Sequence, residues 1–79
     1  GNTENMPQTK VELGDTILDV IIKAGFATSK GQAKTLIAQG GITLDDEKMT
    51  DITYKISEEQ LNKGAILRKG KKSFSKLVK

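Results

Sequence analysis

Two groups of side chains carry the chemistry of this chain, and both suit the binding of an anion. The first is Ser29-Lys30-Gly31-Gln32-Ala33-Lys34-Thr35. Ser29 and Gln32 have capping-box spacing: the Ser hydroxyl accepts from the Gln32 amide, and the Gln side chain reaches back to the amide of Ser29. A helix opening there sets free amides and a positive dipole end beside Lys30, with Lys34 one turn further on. The second group is Lys69-Gly70-Lys71-Lys72, inside a stretch (60–79) with seven basic residues and no acid, whereas residues 1–59 hold all ten acids against six basic residues. That asymmetry predicts a cationic surface for a polyanion, formed where the C-terminal segment lies beside the Ser29 helix. On spacing alone, Lys30 and Lys34 also read as solvated lysines, and the C-terminal run as a solubilising tail.

Other chemistries find little support. The chain has no His and no Cys, so the commonest general base, the commonest transition-metal ligand, thiol catalysis and disulfides are missing. Capping already accounts for the Ser29 hydroxyl, so Ser29 and Lys30 do not read as a catalytic pair. Asp45, Asp46, Glu47 and Asp51 suggest a calcium loop, yet Ile56 stands at its twelfth position and the central Gly is lacking. We expect no catalytic residue, no metal site and no cofactor, and no autonomous enzyme. The longest apolar run, Val20-Ile21-Ile22, is far short of the ~20 residues that span a bilayer. No signal peptide or membrane partner is expected, and the absence of Cys suits a reducing cytoplasm.

At 79 residues with a net charge of +3, the chain has room for one small core. Its aromatic residues are Phe26, Tyr54 and Phe74, which leaves the core to Ile, Leu and Val and little area for a deep cavity. A surface-binding module is favoured.

The elements that position the basic groups can be placed in order. Residues 1–10 read as a flexible linker from an upstream domain, most clearly in the polar run GNTENMPQ, which holds the only Pro; residues 11–79 form the domain. Asp15 or Thr16 caps a first helix with the stripe Ile17, Val20, Ile21, Ala24, widened by Leu18 and Ile22 and ended by Gly25. In the second helix Ala33, Leu36 and Ile37 share one face, and Gly40-Gly41 turns the chain into the strand Ile42-Thr43-Leu44. Asp45-Asp46 makes a two-residue turn to Glu47-Lys48-Met49; because Asp takes positive φ less easily than Gly, a different or longer turn is the alternative. Ser57 to Gln60 repeats the capping box, with Gly64 allowing only about two helical turns. Ala65-Ile66-Leu67-Arg68, a turn at Lys69-Gly70-Lys71 and a strand from Lys72 to Val78 form a second hairpin. In its last strand Lys72, Phe74 and Lys76 oppose Ser73, Ser75 and Leu77.

Ser29, Lys30, Gly31, Gln32, Ala33, Lys34, Leu36, Ile37, Gly40 and Ile42 together resemble the alpha-L RNA-binding motif, the module named after ribosomal protein S-four. With Asn5-Met6-Pro7, Asp51 before Tyr54, and the ending Leu67-Arg68-Lys69-Gly70-Lys71-Lys72-Ser73-Phe74, the chain is similar to the C-terminal domains of bacterial tyrosyl-tRNA synthetases. The Asp45-Asp46 turn departs from the Asn-Gly common in alpha-L proteins, and its two carboxylates would repel phosphate there. The resemblance implies an α+β fold in which two antiparallel helices pack on a small, mainly antiparallel sheet. It implies recognition of structured RNA, above all tyrosine tRNA, through its anticodon stem and long variable arm. ATP and tyrosine would bind an absent catalytic domain, through which the parent would form a homodimer; the fragment itself would be monomeric and cytoplasmic. Lys30, Lys34, Lys48, Lys69, Lys71 and Lys72 would meet phosphates, and Ser29, Gly31, Gln32, Thr35 and Gln39 would supply hydrogen bonds or close backbone approach. Within the RNA class, the alternative is an alpha-L domain of a ribosome-associated factor or a pseudouridine synthase. From another class, it is a protein-docking module whose acidic hairpin (45–51) binds a basic partner.

Overall fold

Short helices in a small domain need firm ends, and hydroxyl caps supply them. In the computed structural model, which describes residues 7–70 and 73–79, three helices form: α1 (Ile17–Lys23), α2 (Lys30–Ala38) and α3 (Glu58–Lys63). Their N-caps are Thr16, Ser29 and Ser57, each accepting from the amide three residues on. At Thr16 and Ser57 the box closes, with the Asp19 and Gln60 side chains accepting from the cap amides. Gly25 and Gly64, at φ 81° and 74°, take the left-handed conformation that stops α1 and α3.

The strands are β1 (Gln8–Lys10), β2 (Ile42–Leu44), β3 (Glu47–Lys48), β4 (Ile66–Lys69) and β5 (Ser73–Val78), in the sheet order β1-β5-β4-β2-β3. All neighbours are antiparallel except β1 and β5, which run parallel with Thr9 opposite Leu77. The fold is therefore the expected α+β arrangement, with one helix of under two turns and one parallel pair added to the two-helix outline. α1 packs against α2, and Ile17, Val20, Ile21, Ala33, Ile42, Leu67 and Leu77 are buried between helices and sheet. Ile17 N–H donates to the Tyr54 carbonyl (2.7 Å) and Ile56 N–H to the Asp15 carbonyl (3.1 Å), which returns the 51–56 loop to the core. Among the described residues no helix is long and apolar enough to cross a membrane.

One expectation changes here and another is met. Of the range 1–10 expected as a linker, Gln8–Lys10 is a strand of the sheet; Gly1 to Met6 lie outside the described residues. β1 is held by a buried hydroxyl pair, Thr9 Oγ1 to Ser75 Oγ at 2.6 Å, with Ser75 also donating to the Pro7 carbonyl (3.1 Å). The Asp45-Asp46 turn has two residues despite lacking Gly, with both at positive φ (51° and 68°), the requirement of a type I′ hairpin. Tertiary contacts hold it there: Asp45 exchanges backbone and side-chain hydrogen bonds with Ile66 (2.9 and 3.0 Å), and Asp46 lies 3.6 Å from Arg68.

Candidate nucleic-acid interface

The N-terminal part of α2 and the end of β4 come together around a shallow groove of about 530 Å³. Its walls are Phe26, Ser29, Gly31, Gln32, Thr35, Leu36 and Lys69. Backbone pairing enforces the approach. Lys69 pairs with Ile42 across β4 and β2, and Gly70 N–H donates to the Gly41 carbonyl at 2.8 Å. The basic C-terminal hairpin is thereby fastened to the junction where α2 turns into β2, the juxtaposition that the charge asymmetry predicts.

Within the groove, the hydroxyls and amides are organised by α2 itself. Ser29 Oγ accepts from Gln32 N–H at 3.3 Å. The reciprocal half of the expected box goes elsewhere: Gln32 Oε1 accepts from the amide (2.8 Å) and hydroxyl (2.7 Å) of Thr28. The cause is local. Ser29 has φ −152°, whereas Thr16 and Ser57, whose boxes close, have −82° and −85°, so the Ser29 amide is turned away from the third helical residue. Thr35 Oγ1 donates back to the Gly31 carbonyl at 3.1 Å, leaving its oxygen as an acceptor. No acid occupies the first turn of α2, unlike α1 with Asp19 and α3 with Glu58 and Glu59. A Cβ at Gly31 would approach only the Ser29 hydroxyl, at 3.8 Å, so a ligand's backbone can come close over that residue.

The cations differ in how far they are already neutralised. Lys30 is 3.7 Å from Asp19 of α1, so part of its charge is spent within the fold. Lys34 and Lys69 are exposed and make no ion pair among the described residues. Gln39 caps the far end of α2, about 15 Å from Ser29 at 1.5 Å per residue. Lys48 reaches the same end, its side chain lying over Gly40, where a Cβ would collide with it. The eleven residues expected to meet RNA thus divide. Ser29, Gly31, Gln32, Thr35 and Lys69 share the groove; Lys30 and Lys34 flank it on α2; Gln39 and Lys48 sit at the opposite helix end. Lys71 and Lys72 lie outside the described residues. Phe26, a groove wall, is not among the expected contacts, since its place in a short connection after the first helix carries no binding signal of its own.

The acidic hairpin serves the fold. Asp45 and Asp46 are engaged by Ile66 and Arg68, as above, and Asp51 accepts from the hydroxyl (2.7 Å) and amide (2.9 Å) of Thr53. Those two bonds, the side-chain one first, lower the Asp51 pKa. Asp15 is lowered chiefly by the hydrogen bond from the Lys23 ammonium at 2.5 Å, and Lys23 is raised by the same contact.

With this geometry, residues 1–77 match the family described as Tyrosine-tRNA ligase SYY-like C-terminal domain. Among curated proteins, the chain is similar to the tyrosine-tRNA ligase of Clostridium tetani (37% identity over 78 residues, 98% of this chain and 19% of that protein). It is also similar to tyrosine-tRNA ligase 1 of Clostridium acetobutylicum (39% over 82 residues, 98% and 20%). A third is the tyrosine-tRNA ligase of Clostridium botulinum strain Hall (38% over 78 residues, 94% and 19%). The chain spans about a fifth of the length of these relatives.

Proposed function

Because this chain belongs to the family of tyrosine-tRNA ligase C-terminal domains, we propose that it binds tyrosine tRNA through the α2 groove and its flanking cations. Phosphates of the anticodon stem and long variable arm meet Lys34, Lys69 and Lys48, with Lys30 contributing the charge that Asp19 leaves to it. Lys71 and Lys72, which follow Gly70 in the sequence, are further phosphate contacts of this reading. Ser29, Gly31, Gln32, Thr35 and Gln39 offer amides, hydroxyls and open backbone to the sugar-phosphate chain, a mode that reads shape more than base edges. The observation that carries this reading is the convergence of Lys69 with the acid-free N-terminus of α2.

The parent protein is then a cytoplasmic tyrosine-tRNA ligase whose catalytic region, outside this chain, binds ATP and tyrosine and forms the homodimer. This part binds RNA as a monomer, without a cofactor or catalysis of its own, and positions the tRNA. The relatives named above, each a tyrosine-tRNA ligase, favour this reading over a ribosome-associated factor or pseudouridine synthase. The internal engagement of Asp45, Asp46 and Asp51 weighs against the acidic protein-docking reading.

The test is affinity against salt for tyrosine tRNA and for the same tRNA shortened in its variable arm. With four to six phosphates engaged, the log-log slope is about −3 to −5, and the shortened RNA binds more weakly. Equal binding of both RNAs would reduce the function to general RNA binding; no binding at low salt would overturn it.

A further inference from the structure

A second groove adjoins the first. Its volume is about 350 Å³, and its walls are Pro7, Ala24, Phe26, Ser73, Phe74 and Ser75. Phe26 lines both grooves, so the two surfaces are continuous beside the Lys69 hairpin. Phe74 is 39% exposed, because β5 turns Ser75 and Leu77 toward the core and leaves Phe74 on the alternate side. It lies directly across from Arg68 in the β4-β5 register. A singly exposed ring is ordinary, but here it joins Phe26 in one groove beside a cationic strand, a contiguous aromatic surface of about single-nucleotide size.

We propose that this groove takes one unpaired nucleobase of the RNA held at α2, stacked on the Phe74 ring, with the adjoining phosphates on the cationic hairpin. The inference rests on the RNA-binding reading above. An unpaired nucleotide is the occupant that fits both properties of the site: a π-face for the ring and a negative charge for Lys69 and for the part of the Arg68 charge that Asp46, 3.6 Å away, leaves to it. A duplex cannot enter so small a groove, and an apolar peptide would leave the flanking cations unanswered. RNA recognition therefore has two parts, phosphate contacts at α2 and one stacked base at Phe74.

The experiment compares the 79-residue chain with Phe74→Ala and Phe74→Leu in binding tyrosine tRNA, and follows the Phe ring resonances of the ¹³C-Phe-labelled chain during the titration. Loss of one stacked base weakens binding about five- to 150-fold. Both variants should show it with the log-log salt slope unchanged, since no phosphate contact is removed. In the unsubstituted chain, the Phe74 ring signals should move upfield and show contacts to base protons. Unaltered affinity in Phe74→Ala, or full affinity in Phe74→Leu, would overturn the stacked base while leaving tRNA binding intact. So would ring contacts to side chains of residues 1–6 that persist when RNA is added. Failure of the unsubstituted chain to bind tRNA would refute the underlying RNA-binding reading as well.

Discussion

The hydroxyl pair under β1 gives a prediction whose size and order follow from atom-by-atom bookkeeping. Thr9 and Ser75 are the buried polar residues among those described, at 6% and 2% exposure, and their oxygens are 2.6 Å apart. Ser75 has one proton, and the 3.1 Å contact to the Pro7 carbonyl uses it, so Thr9 donates to Ser75. In Ser75→Ala the buried Thr9 hydroxyl loses its acceptor, while the Pro7 carbonyl keeps the Lys76 N–H at 2.8 Å, a loss of about 1–3 kcal/mol. In Thr9→Val, Ser75 keeps its bond to Pro7 and an apolar methyl replaces the hydroxyl, so the loss is about 1 kcal/mol or less. The double variant leaves no orphaned hydroxyl, and the Pro7 carbonyl keeps the Lys76 N–H, so it should be more stable than Ser75→Ala alone. Urea unfolding followed by far-ultraviolet circular dichroism, at unchanged m, measures all three. For a domain of this size each kcal/mol corresponds to about 4–8 °C in Tm. Equal and additive losses would refute the coupled pair and, with it, the account of how β1 joins the sheet.

Other predictions concern charge and backbone. Lys34→Gln and Lys69→Gln should each reduce the magnitude of the log-log salt slope for tRNA by about 0.7–0.9, whereas Lys23→Gln, whose charge is paired with Asp15, should leave it unchanged. Asp46→Gly should raise stability by about 0.5–1 kcal/mol in thermal unfolding, since left-handed backbone costs a non-Gly residue about 1–2 kcal/mol and the exposed Arg68 pair is worth less than that. The Asp15 pKa is lowered in the fold by Lys23, so its contribution is present above the unfolded value and lost as pH falls through the folded one. Unfolding from pH 6 down to about pH 2 should therefore show a shallower acid loss for Asp15→Asn than for the unsubstituted chain. Lys23 is raised, so its share of the pair is lost only as pH rises through that raised value.

Local rules made much of this fold legible. The hydroxyl caps Thr16, Ser29 and Ser57, the glycine stops at Gly25 and Gly64 and the two alternating faces of β5 follow from residue type and spacing, although the buried face is that of Ser75 and Leu77 and leaves Phe74 exposed. What escaped depends on distant partners. The Gln8–Lys10 segment shows no apolar alternation because its one inward residue, Thr9, is polar and finds its partner in Ser75, 66 positions away. The Asp45-Asp46 turn could be placed but not typed, since Ile66 and Arg68 stabilise its left-handed backbone. In the candidate interface, α2 and Lys69 were readable as charge beside a helix start. Two features were not: the loss of part of the Lys30 charge to Asp19, a residue of the neighbouring helix, and the role of Phe26 as a wall shared by two grooves.

The most direct test of the proposed function maps backbone amide shifts of the ¹⁵N-labelled chain as tyrosine tRNA is added at low and moderate salt. The groove account predicts shifts concentrated at residues 29–35 and at Lys69 and Gly70, fading as salt rises. Shifts concentrated instead in the acidic hairpin at 45–51, or none at low salt, would contradict it.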